Sequence, residues 1–343
     1  MQNTMIAVDL AKSIFEIAVS KRPGKVQERH RLNRPQFLEF FANREPALVL
    51  MEACGSAHYW AREIRALGHD LVLLPPHSTR PYVTRNKTDR ADAKGLLEAF
   101  RNDEIRPVPV KSVPQQALTA LHRLRSAWVA ARTARINTIR GLLREFGLVI
   151  PVGAKNVVPQ TESLVEEADS GVPDALRASM ASACSEVRDL QDRIRDVERQ
   201  LEQLARQTPG VARLRTIPGI GLLTATALVG FVGDVGRFPS GRHFASYLGL
   251  TPSERSSALR RRLGSISKRG NVYLRMLLTH GARSVLARTR NVEPHDRLRS
   301  WAHRVQERRG HNKATTALAN KLARIVWAVW TKEDSFTATP VAA

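Results

Sequence analysis

The sequence predicts an α/β domain, a mixed sheet covered by helices, followed by a long and mostly helical remainder. Three observations carry this expectation. Short apolar runs alternate with helical patterns through residues 1–110, residues 111–207 read as long helices of which the last carries a heptad seam, and residues 208–332 read as helices joined by glycine- and serine-rich turns. The last stretch, 333–343, is polar with small residues and reads as a disordered tail.

The early elements follow from their periods. MIAVDL, FEIAVSK and KVQERHRL are strand candidates, and PQFLEFFANR has a helical pattern. ALVLMEA, AHYWAREIRALG and HDLVLLPP then give strand, helix, strand, and the helix holding KTDRADAKGLLEA closes the series. Three strands in succession followed by helix–strand alternation predict a sheet with both antiparallel and parallel pairs.

Next comes QQALTALHRLRSAWVAARTARINTIRGLLREF, one continuous helical run with Arg123, Arg125, Arg132, Arg135, Arg140 and Arg144 at polar positions. A solvated basic face is the plain reading; so many arginines with few acids favour a surface that tracks phosphates. Pro151 and Gly153 open a loop. In the helix after it, Leu176, Met180, Ala183, Val187, Leu190, Ile194, Val197, Leu201 and Leu204 alternate in spacing between four and three, the signature of a coiled coil. Its partner is either the arginine-rich helix of the same chain or another subunit, and the second case makes an oligomer.

The segment RTIPGIGLLTATALVG matches a helix-hairpin-helix, whose Gly219 and Gly221 would turn backbone N–H groups toward a phosphate; an ordinary turn between helices is the alternative. RFPSGRHFASYLGLTPSERSSALRRRLGSISKRGNVYLRMLLTHGARSVL reads as a helix, a Ser- and Arg-rich loop and a second helix, and TTALANKLARIVWAVW reads as a core helix.

Composition narrows the partners. Lys and Arg number 54 against 32 Asp and Glu, a formal charge of +22, which points to a polyanion and above all to nucleic acid. No run approaches the roughly 18 apolar residues of a membrane span, and MQNTMIAVDL has no basic leader, so no membrane partner and a cytoplasmic location are expected. Only Cys54 and Cys184 occur, which supplies neither a disulfide framework nor a zinc spacing. Cys54 stands four residues from His58; a thiol with its base is one reading and a small packing residue is the plainer one.

The chemistry gathers on carboxylates. Asp9 ends the apolar run IAV and Glu52 ends ALVLM, and a carboxylate at the end of a strand calls for a partner. Asp89 and Asp92, three apart, share one face of their helix. If the two strands are neighbours, as in an RNase H-like sheet, four carboxylates converge and can hold two Mg²⁺ ions about 4 Å apart for phosphoryl transfer.

Through AVDLAK, MEACGSAHYW, KTDRADA, IPGIG, FASYLGLTP and SISKRGNVYLRMLLTHGAR the chain resembles, over nearly its full length, the insertion-sequence one-ten transposases, which are bridge-RNA-guided DNA recombinases. The resemblance implies a RuvC-like nuclease domain, a coiled-coil insertion and a transposase domain with a serine nucleophile. It makes Asp9, Glu52, Asp89 and Asp92 the DEDD metal ligands. Its Ser-Ser-Gly loop corresponds to Ser256, Ser257 and Ala258, which assigns Ser257 as nucleophile with Ser256 as fallback. Ala258 departs from the glycine and does not readily take a positive φ.

The implied mechanism is strand exchange through a covalent phosphoserine with Mg²⁺, the site of one subunit being completed by the serine of another in a dimer or tetramer. Arg260, Arg261, Arg262, Lys268 and Arg269 would clamp phosphates. Double-stranded donor and target DNA and a guide RNA from the element are the implied partners, in a bacterial cytoplasm at the nucleoid. Guide-RNA binding comes from the resemblance and the charge, since 6% aromatics supply no stacking platform. The competing readings are a RuvC-like junction nuclease without a covalent step and a non-catalytic nucleic-acid-binding protein. With four Tyr in the chain and none set among arginines and histidines in the required pattern, a tyrosine recombinase is excluded.

Overall fold

Two short, nearly continuous apolar runs form the first hairpin, β1 (Met5–Leu10) and β2 (Ile14–Ser20), to which β3 (Glu28–Asn33) adds antiparallel. The computed structural model describes residues 4–22, 25–83, 88–258, 260–288 and 296–338, in two compact units, Met1–Ser112 and Val113–Ala343. Lys87 of the KTDRADA motif and residues 339–343 of the tail lie outside the described residues.

In the first unit α1 (Arg34–Ala42) starts at a capping box in which Asn33 and Gln36 satisfy each other's backbone N–H groups. β4 (Leu48–Glu52), α2 (Ala57–Ala66), β5 (Asp70–Leu74), the single turn α3 (Pro76–Thr79) and α4 (Asp89–Phe100) follow. The strand order is β3-β2-β1-β4-β5, with β4 parallel to both β1 and β5. This five-stranded mixed sheet is compatible with the RNase H-like fold expected.

Both faces of the sheet are covered, because β1, β2 and β4 are apolar on both sides. Ile6, Val8, Ile17, Val49 and Met51 pack against Phe37, Phe41, Trp60 and Ile64 of α1 and α2. Ala7, Ala18, Leu50 and Leu74 face the other way and receive Ala93, Leu96 and Leu97 of α4. Small side chains at Ala7 and Ala18 let α4 lie close to the strands.

The second unit begins with α5 (Val113–Glu145), α6 (Val157–Glu166) and α7 (Asp174–Arg206). α5 and α7 pack along each other, and the pairs Arg125–Glu198, Arg132–Gln191 and Arg135–Glu186 fix them as antiparallel. The partner of the heptad helix is thus within its own chain. Met180, Val187, Ile194, Val197 and Leu201 are buried, while Leu176, Ala183, Leu190 and Leu204 are half-buried.

Helices α8 (Pro209–Arg215), α9 (Leu222–Val232), α10 (Gly241–Tyr247), α11 (Val272–Arg288), α12 (Arg297–Arg309) and α13 (His311–Lys332) complete the unit, with a short hairpin of β6 (Pro252–Glu254) and β7 (Leu263–Ile266) between α10 and α11. α9 is apolar all round and sits in the core, as such a helix must. Leu118 of α5 and Val197 and Leu201 of α7 belong to that same core.

Two local expectations change. The Ser- and Arg-rich stretch expected as a loop is the β6–β7 hairpin, whose strands are too short and too polar to show a period in sequence. The tail read as disordered from residue 333 is tied down over its first residues: Arg213 binds the Glu333 carbonyl at 2.8 Å, Phe336 N–H donates to Thr216 Oγ1 at 2.8 Å, and the Phe336 ring packs on the core. Among the described residues no helix is long and apolar enough to cross a membrane.

Candidate active site

β1 and β4 are in parallel register with Val8 beside Met51, so the next positions, Asp9 and Glu52, end neighbouring strands at the same edge. Side chains alternate along a strand. Asp9 therefore shares the face of Ala7, and Glu52 that of Leu50, which is the face covered by α4. Both carboxylates are half-buried.

α4 brings the other two. Thr88 caps the helix, its Oγ1 accepting the Ala91 N–H at 3.2 Å, and Asp89 and Asp92 stand in the first turn where the helix dipole favours negative charge. At 100° per residue Asp89 falls on the stripe of Ala93 and Leu96, the stripe buried on the sheet. Asp92 lies at the border of that stripe and is half-buried, whereas Asp89, past the edge, is exposed.

The row across the sheet holds residues that sequence reasoning missed. Asp9 is directly opposite Glu16 of β2, and Glu16 is opposite Arg31 of β3, so Glu52, Asp9, Glu16 and Arg31 succeed one another on one face. Glu16 carried the same signal as Asp9, a carboxylate inside an apolar strand. Thr79, buried at 3%, places its Oγ1 3.1 Å from Glu52 Oε2 and 3.0 Å from the Pro76 carbonyl, and nothing in the sequence marked it. Beside the row a cavity of about 440 Å³ is lined by Glu16, Arg29, Arg31, Thr88, Asp89 and Arg90.

As a donor set, carboxylate oxygens suit a hard cation such as Mg²⁺. The fold brings the four to one end of one face. Among the described residues no three Asp, Glu, His or Cys side chains converge into a ready metal cluster.

The hairpin carries the serines. Ser257 and Arg260 exchange both backbone hydrogen bonds across the turn, at 3.3 and 3.1 Å. Ala258 occupies the turn at φ 49°, so the chain keeps a left-handed position with alanine where glycine was expected. Ser256 Oγ donates to Glu254 Oε1 at 2.7 Å and accepts the Arg262 N–H at 3.1 Å. That bond, with the Arg261 guanidinium 3.3 Å away, holds the Glu254 carboxyl below the usual carboxylate range. Ser257 is exposed, and its hydroxyl has no hydrogen bond among the described residues.

The basic residues divide. Arg123, Arg260, Arg261, Arg262, Lys268 and Arg269 are exposed. Arg132 and Arg135 are half-buried and engaged, Arg132 with Gln191 at 2.9 Å and Arg135 with Glu186, while Arg140 binds the Pro151 and Gly153 carbonyls at 2.7 and 3.0 Å. Much of the expected phosphate-tracking face is thus spent on joining α5 to its neighbours. Gly219, at φ 82°, lies against α11: a Cβ on it would stand 2.6 Å from the Gly281 carbonyl oxygen. Its requirement for glycine comes from packing, whereas Gly221 is exposed at the start of α9. His58 Nδ1 accepts the Lys111 N–H at 3.3 Å and Cys54 packs on the core under α1 and α2, which leaves Cys54 as a packing residue.

A family model described as "Transposase IS116/IS110/IS902 family" matches residues 211–297, and a second, named for the DEDD transposases of IS110, matches residues 6–147. The chain is 42% identical over 340 residues to a "Probable family 20 transposase" of Pseudomonas aeruginosa, covering 98% of this chain and 99% of the relative. This chain belongs to the IS110/IS116/IS902 family of transposases. It is also 37% identical to the "Transposase for insertion sequence element IS1111A" of Coxiella burnetii, over 97% of this chain and 91% of that one. With the "Transposase for insertion sequence element IS1328" of Yersinia enterocolitica the identity is 36%, over 97% and 98%.

For this transposase the DEDD match encloses Asp9, Glu52, Asp89 and Asp92, and the other encloses the β6–β7 hairpin with Ser256 and Ser257. A DEDD domain implies dependence on a divalent metal.

Proposed function

We propose that this transposase cleaves and exchanges DNA strands of its insertion sequence at a carboxylate site made by Asp9, Glu52, Asp89 and Asp92, with Ser257 as the nucleophile. The observation that carries the reading is the parallel register that puts Asp9 and Glu52 side by side under the helix bearing Asp89 and Asp92. These four residues would hold Mg²⁺, which supplies Lewis-acid polarisation of a phosphate and neutralises charge developing on it.

The protein's own groups have separate tasks. Thr79 orients Glu52, and Arg29, Arg31 and Arg90, which line the cavity beside Asp89, attract the phosphate. Ser257 Oγ forms a bond to phosphorus as the bond to the leaving sugar oxygen breaks. The serine proton passes to solvent and the leaving oxygen takes one up, so the phosphoester is conserved for transfer to a second strand. Arg260, Arg261, Arg262, Lys268 and Arg269 around the hairpin bind backbone phosphates, as do Arg123 and the exposed end of α9 at Gly221. Arg132 and Arg135 add charge to that surface while their primary partners remain on α7.

The wider reading includes a bridge RNA that guides target choice, a coiled-coil role for α5 and α7 in assembly, and a dimer or tetramer in which the serine of one subunit serves the carboxylates of another. The net charge of +22 supports both nucleic acids as partners.

The test is denaturing-gel detection of a covalent protein–DNA adduct with Mg²⁺, donor DNA and the element's flanking RNA, for wild type, Ser257→Ala and Asp9→Ala. An adduct in wild type that disappears in both variants supports the composite site. Mg²⁺-dependent cleavage with no adduct replaces the phosphoserine step by a RuvC-like junction nuclease, which would need only the four carboxylates. The absence of any cleavage with or without RNA leaves a nucleic-acid-binding protein.

A further inference from the structure

The second unit contains a groove of about 1500 Å³ between the base of the β6–β7 hairpin, the start of α10, and helices α12 and α13. Its cations are Arg242, Lys313, Lys321 and Arg324, and among the described residues no acidic side chain lines it. None of the four has an ion pair among the described residues, whereas many arginines elsewhere in the unit do. Four uncompensated cations in one concave space repel one another until an anion enters.

Between the charges the walls are apolar, with Leu250, Ile266, Ile325 and Ala328, and carry the indoles of Trp301 and Trp327. Lys321 Nζ lies 4.0 Å from the centre of the Trp301 ring. Burial, and then the nearby Arg324 and Arg304, hold the Lys321 ammonium below its usual range, the mark of a cation lacking its counter-charge. The framework is fixed around this pair: Trp327 Nε1 donates to the Phe238 carbonyl at 3.0 Å, and Asn320 Nδ2 donates to the Leu250 carbonyl at 3.1 Å, which ties the hairpin base to α13.

Apolar walls, an indole and a ring of cations suit a ligand that is a polyanion with exposed flat rings. A duplex offers the phosphates but hides the base faces, and an acidic peptide offers charge without planes. An unpaired DNA strand offers both. We propose that this groove binds single-stranded DNA, with phosphates on Lys321, Arg324, Lys313 and Arg242 and a base stacked on the Trp301 face that Lys321 vacates as its ammonium moves from the ring to a phosphate. Gly264 and Ser265 of the hairpin line the same groove, so a strand leaving it runs toward the loop of Ser256 and Ser257.

The inference rests on the reading that the chain acts on DNA and is independent of the phosphoserine step, because its readout needs neither Mg²⁺ nor cleavage. Fluorescence anisotropy with a labelled oligothymidylate, the matching dA·dT duplex and an oligouridylate, each titrated with full-length protein over a salt series, tests it. Trp301→Leu should weaken oligothymidylate binding about tenfold and leave the duplex unchanged. Lys321→Gln should lower the salt slope for the single strand by about one.

An equal loss on single strand and duplex, or no loss in either variant, would overturn the proposal. Tighter binding of oligouridylate with the same dependence on Trp301 would overturn the assignment to DNA. A thermal melt accompanies each variant; should Trp301→Leu unfold, Thr316→Glu puts a carboxylate into the groove from the surface of α13, and unchanged oligothymidylate affinity there would sink the idea equally well.

Discussion

The hydroxyl of Ser256 donates to the Glu254 carboxylate at 2.7 Å, a bond that sets Ser256 apart from its neighbour Ser257. Ser256 also receives the Arg262 N–H, so it closes the hairpin from within. Ser257, exposed at the turn, has no hydrogen bond from its hydroxyl among the described residues. The adduct should therefore survive Ser256→Ala, at a rate reduced about tenfold by a looser hairpin, and vanish in Ser257→Ala. Single-turnover adduct formation on a denaturing gel compares the two, and the reverse pattern would reassign the nucleophile to Ser256.

Ala258 holds a left-handed backbone at φ 49° that costs a residue with a Cβ about 1 kcal/mol relative to glycine. Ala258→Gly should relieve that strain without removing any contact. The expected result is an equal or up to about fivefold faster adduct formation and unchanged DNA affinity, while Ala258→Val, β-branched at a positive φ, should slow it. A slower Ala258→Gly enzyme would mean that turn flexibility matters more than strain.

Gly219 and Gly281 meet backbone to backbone, and a Cβ on Gly281 would lie 2.2 Å from the Gly219 carbonyl oxygen. Neither side can yield as a flexible side chain would. Gly281→Ala should destabilise the protein by about 3 kcal/mol, measured by urea unfolding. A loss below about 1 kcal/mol would show that α11 can slide away from the IPGIG turn.

His122 is fully buried between Tyr273 and Thr226. Thr226 Oγ1 donates to the Leu222 carbonyl, so it accepts from His122 Nε2–H, and His122 Nδ1 accepts from the Tyr273 hydroxyl. Burial, and then the charge of Arg125, lower its pKa to about 4. In the unfolded chain it titrates near 6.5 and takes up a proton that the folded chain refuses. Stability should be complete above pH 6.5 and fall by about 3 kcal/mol as pH drops to about 4. Urea unfolding across that range measures it, and an identical pH slope in His122→Gln would refute the assignment.

Glu16 stands opposite Asp9 on the carboxylate face. Removing its charge should raise the Mg²⁺ concentration for half-maximal cleavage about tenfold in Glu16→Gln, with maximal cleavage retained, whereas Asp9→Asn should abolish cleavage at any Mg²⁺. An Mg²⁺ titration indistinguishable from wild type would leave Glu16 outside the site.

Much of the first unit was legible in sequence because its signals are local. Short apolar runs named β1, β2, β4 and β5, and a carboxylate closing such a run exposed Asp9 and Glu52. The spacing of Asp89 and Asp92 put them on one helix face, and family membership follows from whole motifs in a fixed order. Glu16 was overlooked although it obeys the same rule as Asp9, since its importance depends on the strand it pairs with. Thr79 left no trace, because a hydroxyl reaching a carboxylate 27 positions away is a product of folding.

Tertiary structure decided the rest. It chose the same chain as the partner of the heptad helix and turned Arg132 and Arg135 from free cations into cross-links. It explained Gly219 by a close approach to Gly281 and made a hairpin of a stretch without periodicity. It also gathered Arg242, Trp301, Lys321 and Arg324 around one groove. The physical reason is common to all of these: a residue's type and its near neighbours set local conformation and charge, while what a side chain is free to bind depends on groups that only long-range packing brings beside it.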